Sequence, residues 1–137
     1  QLYVYGRRLM ETNSPFARTM GFGSERDSEG RLVLTMAFET NKMGRPGFLH
    51  GGAIAGMLEA VAFTTLAEAL DADDTARIKP INVTVNYLRG GRDAVTHARA
   101  TIERLGRRVA NVEAIAWQDD PENPIAIAQM NLMLQRD

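Results

Sequence analysis

From Pro46 to Ala67 the chain carries only one formally charged side chain, Glu59. Within that stretch Ile54, Leu58, Val61 and Thr65 recur at helical spacing, which predicts a helix over roughly 51–70. At 1.5 Å per residue it is about 28 Å long. Its apolar residues run round the whole circumference, so it must be covered on nearly every side. Glu59 interrupts the run and polar, strand-forming sequence surrounds it, so it does not read as a membrane span. The rest of the chain has to supply a surface that wraps this helix.

The sequence after residue 77 has that character. Ile81, Val83, Val85 and Tyr87 share one face of a strand, and Asn82, Thr84 and Asn86 share the other. Ala94 to Ile102, Val109 to Trp117 and Ile125 to Leu134 continue the pattern. Gly90-Gly91, Leu105-Gly106 and the Asp119–Pro124 segment read as turns between them. These four strands are expected to form an antiparallel meander. A further strand over 32–38 joins that sheet or forms another. Asn13-Ser14-Pro15 reads as a helix start, with a short helix near 14–20 and Pro15 where its missing N–H is harmless. The expected class is α+β: one long helix wrapped by a curved antiparallel sheet. A sheet of this size leaves one side of the helix and its own edges open, so a homodimer at least is expected.

Composition narrows the function. The 137 residues make one domain, 1–137. Sixteen basic against 17 acidic residues leave a net charge of -1, which argues against a nucleic-acid footprint. The absence of cysteine excludes disulfides, thiolate metal sites and cysteine nucleophiles. The two histidines, His50 and His97, stand far apart without zinc-binding spacing, so no metal is expected. Neither a phosphate-cradling loop nor a serine elbow is present. No basic segment running into an apolar one follows Gln1, so no signal peptide is expected and a cytoplasmic location is.

Glu59 is the sharpest candidate for chemistry. A carboxylate among Met57, Leu58, Ala60 and Val61 reads as a catalytic base or nucleophile in a dry pocket. It reads equally as a structural partner of an arginine, or as part of a solvent-filled groove between subunits. His50-Gly51-Gly52 opens the same helix. The first N–H groups of a helix lack internal partners, and glycines leave them open to an oxygen gaining negative charge. The bland alternative is a tight turn. His50 could cap the helix, hold the loop or touch substrate. His97, beside Arg99 on one strand face, reads as a surface or interface residue. Arg89 and Arg107 stand in basic turns that could hold phosphate or could simply be solvated. Thr64 and Thr65 follow Glu59 and could position water.

These residues carry a resemblance. Gly47-Phe48-Leu49-His50-Gly51-Gly52-Ala53-Ile54-Ala55 followed by Glu59 resembles the signature of the hotdog-fold acyl-CoA thioesterases, in the phenylacetate-pathway (PaaI-like) group. Asn82 to Arg89, Gly106-Arg107, Pro124 to Leu134 and Asn13 to Arg18 are similar too, so the resemblance covers roughly 13–135. It implies a hotdog fold, a homodimer with active sites between subunits, often paired into a homotetramer, and hydrolysis of coenzyme A thioesters without metal or bound cofactor. It implies Glu59 as base or nucleophile and the Gly51 N–H as carbonyl polariser. His50 and Asn41 are implied as supporting polar groups, and Gly52, Arg89 and Arg107 as contacts to coenzyme A. Two positions depart from the pattern. Gly44 stands six residues before His50 where relatives have asparagine, leaving Asn41 as the nearest candidate. Pro80 stands where relatives have a hydroxyl, leaving Thr64 as its substitute. A non-catalytic acyl-CoA-binding protein is the first alternative, and a thioester dehydratase or isomerase the second.

Overall fold

The computed structural model describes residues 14–136. Asn13, read as part of the first helix start, lies outside them. In chain order the elements are helix α1 (Pro15–Met20), strands β1 (Gly23–Arg26) and β2 (Leu32–Met36), a 3-10 turn (Thr40–Lys42), and helix α2 (Gly51–Ala69). Strands β3 (Arg77–Tyr87), β4 (Thr96–Leu105), β5 (Val109–Trp117) and β6 (Ala126–Gln135) follow. Ser14 caps α1 as expected, its Oγ accepting the Ala17 N–H at 3.1 Å, with Pro15 in the first turn.

All six strands form one antiparallel sheet in the order β1-β2-β4-β5-β6-β3. β4, β5 and β6 form the expected meander. β3 does not join it next to β4; it crosses to the far edge and pairs with β6, Tyr87 opposite Ala126 and Arg77 opposite Gln135. The reason is local. β2 already occupies the open side of β4, and Gly90-Gly91 is not a hairpin turn. A β-carbon added at Gly90 would lie 2.7 Å from the Phe48 ring, and one at Gly91 2.8 Å from Leu49 Cδ1. Both glycines serve close packing beneath the loop that leads into α2. The segment 23–26, for which no strand is expected from the sequence, is the strand β1, exposed at every residue.

α2 lies in the concavity of the sheet, chiefly over β4 and β5. The floor beneath it is small: Ala98, Ala114, Ala116, Ala126 and Ala128 are all buried, so the helix sits close to the strands. Met57, Leu58, Val61 and Leu66 are fully buried, each contributing about 1.5–3 kcal/mol of apolar burial. Although α2 is long and apolar enough to cross a membrane by length and composition, it is the core helix of this domain. Covering is incomplete on one side. The β3 edge is mostly exposed, with Ile81 at 50%, Tyr87 at 53% and Leu88, just past its end, at 50%, values that leave large apolar side chains half in water. Pro80 is tolerated in β3 because the strand is an edge and shifts register beside it.

Candidate active site

The start of α2 is built by His50. Its backbone is extended (φ -66, ψ 137), and its Nδ1 folds back to accept the Gly52 N–H at 2.8 Å. An accepting Nδ1 places the proton of the neutral ring on Nε2. The His50 carbonyl accepts the Ala53 and Ile54 N–H groups at 3.0 and 3.3 Å. Three of the four first-turn donors are thus satisfied by one residue. The Gly51 N–H is the donor left without a partner among the described residues. The two glycines have separate reasons. A β-carbon at Gly52 would stand 3.0 Å from His50 Nδ1 and obstruct the cap. One at Gly51 would stand 3.3 Å from the Tyr87 ring, whose hydroxyl donates to the Gly51 carbonyl at 2.9 Å.

The loop before the helix is anchored by a residue that sequence reading passed over. Lys42 is only 3% exposed. Its Nζ donates to the Ala37 carbonyl at 3.1 Å and pairs with Glu39 at 2.6 Å, while its own carbonyl accepts the His50 N–H at 2.8 Å. A lysine beside Asn41 in a polar stretch carries no sequence signal of burial. Its charge is tolerated because both partners meet it at the end of a buried stem. Asn41 itself is exposed on the Thr40–Lys42 turn.

Glu59 is half-buried rather than sealed in a dry pocket, and its carboxylate has no hydrogen bond or ion pair among the described residues. The structural-arginine reading therefore finds no partner there. Eight residues separate it from Gly51, about 12 Å along the helix axis. Gly52, Ala55, Gly56 and Phe63 flank it on the less covered face of the helix. Thr64 is turned the other way. It is fully buried, its Oγ1 has no partner among the described residues, and five residues of helix place it about 140° round the axis from Glu59. The structure does not bring Thr64 to the carboxylate within one protomer. His97 lies stacked on Trp117 at 5.6 Å between ring centroids, with the Arg99 guanidinium 5.4 Å from the Trp117 ring, away from α2 on the outer side of the sheet.

The two basic turns lie at opposite ends of the sheet. Arg89 follows the Tyr87 end of β3, its Nε donating to the Pro124 carbonyl at 3.3 Å. Arg107 sits in the β4–β5 turn beside Val109 and Met133, roughly 30 Å away by strand length. One protomer brings His50, Gly51, Gly52, Asn41 and Arg89 towards one end, and leaves Glu59 at mid-helix and Arg107 at the other end.

Residues 40–133 match the family described as acyl-CoA thioesterase N-terminal domain. The chain belongs to this acyl-CoA thioesterase family. The matched span opens at the Lys42 turn and includes the His50 cap, Glu59, Arg89 and Arg107. Solved structures agree with this thioesterase fold. A protein of Chromobacterium violaceum is 28% identical, with a TM-score of 0.75, over 95% of this chain and 90% of that one. A phenylacetic acid degradation-related protein of Ralstonia eutropha is 24% identical, TM-score 0.80, over 95% and 100%. A Bacillus halodurans protein solved with coenzyme A is 18% identical, TM-score 0.81, over 94% and 85%. No curated protein matches the chain. The thioesterase family assignment and the hotdog architecture fit the one long helix in its curved antiparallel sheet.

Proposed function

We propose that the chain hydrolyses an acyl-CoA thioester to the free acid and coenzyme A, and that it does so as a homodimer. One observation carries this reading. At the start of α2, His50 satisfies the N–H groups of Gly52, Ala53 and Ile54, and the Gly51 N–H is left for a ligand. A thioester carbonyl bound there gains negative charge when attacked, and a helix N-terminus favours that charge. Glu59 takes a proton from the attacking water, or attacks the carbonyl itself, expelling the thiolate and leaving an anhydride that water then hydrolyses to the free acid. In the water route a C–O bond forms, the C–S bond breaks, and the proton held by Glu59 passes to the departing sulfur.

The separation of about 12 Å along α2 is too long for one carbonyl to meet Gly51 and Glu59 of the same protomer. That distance and the half-exposed β3 edge together support a site shared between subunits, with Gly51 of one working with Glu59 of the partner subunit. Antiparallel pairing of two β3 edges also reverses the strand direction. The Arg107 end of one subunit then approaches the Arg89 end of the other, so both arginines can serve one ligand. In this reading Asn41 serves as a polar contact to the ligand, and a cytoplasmic setting suits a cysteine-free chain.

The test is thiol release from aromatic, short-chain and long-chain acyl-CoAs by the wild type and Glu59→Gln. The variant is expected to fold normally and lose at least about 100-fold in turnover. Near-normal turnover in the variant overturns the role of Glu59. Saturable binding without turnover in the wild type replaces hydrolysis by ligand binding.

A further inference from the structure

Three surface arginines are neutralised by close carboxylates. Arg26 meets Glu68 at 2.7 Å, Arg31 meets Asp27 at 2.8 Å, and Arg136 meets Asp74 at 2.8 Å. Beside the start of α2 the pattern changes. The guanidinium carbons of Arg45 and Arg92 lie 3.9 and 4.4 Å from the centroid of one ring, Phe48. Arg89 stands three residues before Arg92 on the same segment. None of the three has a carboxylate within ion-pairing distance among the described residues, although Asp119 borders the cavity of about 180 Å³ next to Arg89 and Arg92. The supporting loops are tied together: the Leu49 N–H donates to the Gly91 carbonyl at 2.9 Å, and bare Gly90 lets the Phe48 ring in.

Three like charges gathered with no ion-paired carboxylate, on a chain whose net charge is -1, repel one another, and an anion among them relieves that repulsion. Two of them are held over an aromatic ring, which restricts their rotamers before any ligand arrives. Resting on the acyl-CoA reading above, we infer that the Arg45–Phe48–Arg92 cluster, with Arg89, seats the phosphates at the nucleotide end of coenzyme A. The phosphates are separated from the thioester by the pantetheine arm. With the carbonyl at the Gly51 N–H, the arm leads from the start of α2 out to phosphates on the surface, where this cluster offers them cations. Arg45 lies five residues before His50, and the Arg92 segment is bonded to the same loop. Planar guanidiniums match phosphate oxygens with paired donors. The other arginine group, Arg107, Arg108 and Arg136, lines a cavity of about 440 Å³ at the far end of the sheet, and Arg136 is already engaged by Asp74. It can add to the site only from the partner subunit.

The experiment compares two substrates with the same acyl group, acyl-CoA and acyl-pantetheine, which lacks every phosphate. The wild type is expected to prefer acyl-CoA. The double variant Arg45→Ala, Arg92→Ala is expected to reduce that preference, as a ratio of kcat/KM values, by at least about tenfold, with the loss in KM. Arg31→Ala, at a paired surface arginine, is the control and should leave the ratio unchanged. Phe48→Leu keeps both charges but removes the stack, and should give an intermediate ratio. Equal losses on both substrates, or no loss on either, overturn the inference. Calorimetric binding of adenosine 3′,5′-bisphosphate separates this from the hydrolase reading. Binding that weakens with salt and is lost in the double variant supports the phosphate site even if no thioester is cleaved. Absence of binding to the wild type overturns it even if hydrolysis is observed.

Discussion

The N-terminal turn of α2 works by subtraction. His50 takes three N–H donors for itself and so leaves the Gly51 N–H without a partner among the described residues, the donor that the proposed mechanism uses. His50→Ala removes the cap and frees the Gly52 N–H, a loss typically of about 1 kcal/mol of stability. The expected outcome is a lowered melting temperature together with reduced kcat, because a second free donor changes where a carbonyl oxygen settles. Full activity at the lower melting temperature would leave His50 a structural cap only. Lys42 acts one step further back. Lys42→Met keeps the stem and removes the ammonium, leaving the Ala37 carbonyl without its donor at about 1–3 kcal/mol. Glu39 is exposed enough to be hydrated in that variant. Thermal unfolding should show the loss, and kcat should fall more than KM rises if the loop's aim at the carbonyl depends on this anchor. The two residues differ in how legible they are. A histidine before two glycines at a helix start advertises its position, whereas nothing distinguishes a buried lysine from a solvated one until its neighbours are assembled.

Strands and helices tell a similar story about local and non-local information. The β1–β2 turn is held by Asp27, whose Oδ1 accepts the N–H groups of Arg31 and Glu29, each at 2.9 Å. The backbone hydrogen bond from Arg31 leads in holding the Asp27 carboxyl below the usual range, joined by that from Glu29 and by the Arg31 guanidinium. The sign follows from linkage. A carboxyl with a lowered folded-state pKa contributes stability above the ordinary aspartate value, and that contribution is lost as pH falls through the lowered one. Asp27→Asn should therefore unfold more easily than the wild type at neutral pH, and the gap should close in strong acid. A constant gap across a pH series of thermal melts would contradict this. β5 follows from alternation because it buries one face, and α2 from a long apolar run at helical spacing with a single charge. β1 escaped because a short, fully exposed edge strand needs no apolar pattern, only a neighbour to pair with.

At the scale of the whole molecule, the open β3 edge, the less covered side of α2 and the division of Gly51 from Glu59 are what the proposed homodimer would account for. Ile81→Lys would place like charges across a two-fold joining the β3 edges. Light scattering coupled to size exclusion should show a shift towards monomer, with thiol-release activity falling in step; a fully active monomer would overturn the shared site. Patterning along the chain determined that one apolar helix would be enclosed by strands, that Ser14 and His50 would start helices, and that Glu59 would be the lone charge in a covered run. These depend on residues close in sequence, where periodicity and capping act. Only the tertiary structure decided that β3 crosses to β6, that Gly90 and Gly91 exist to admit Phe48 and Leu49, that Thr64 faces the core, and that Arg89 and Arg107 stand at opposite ends. Each of those depends on which surfaces are already occupied when distant segments meet, and a linear pattern does not record occupancy.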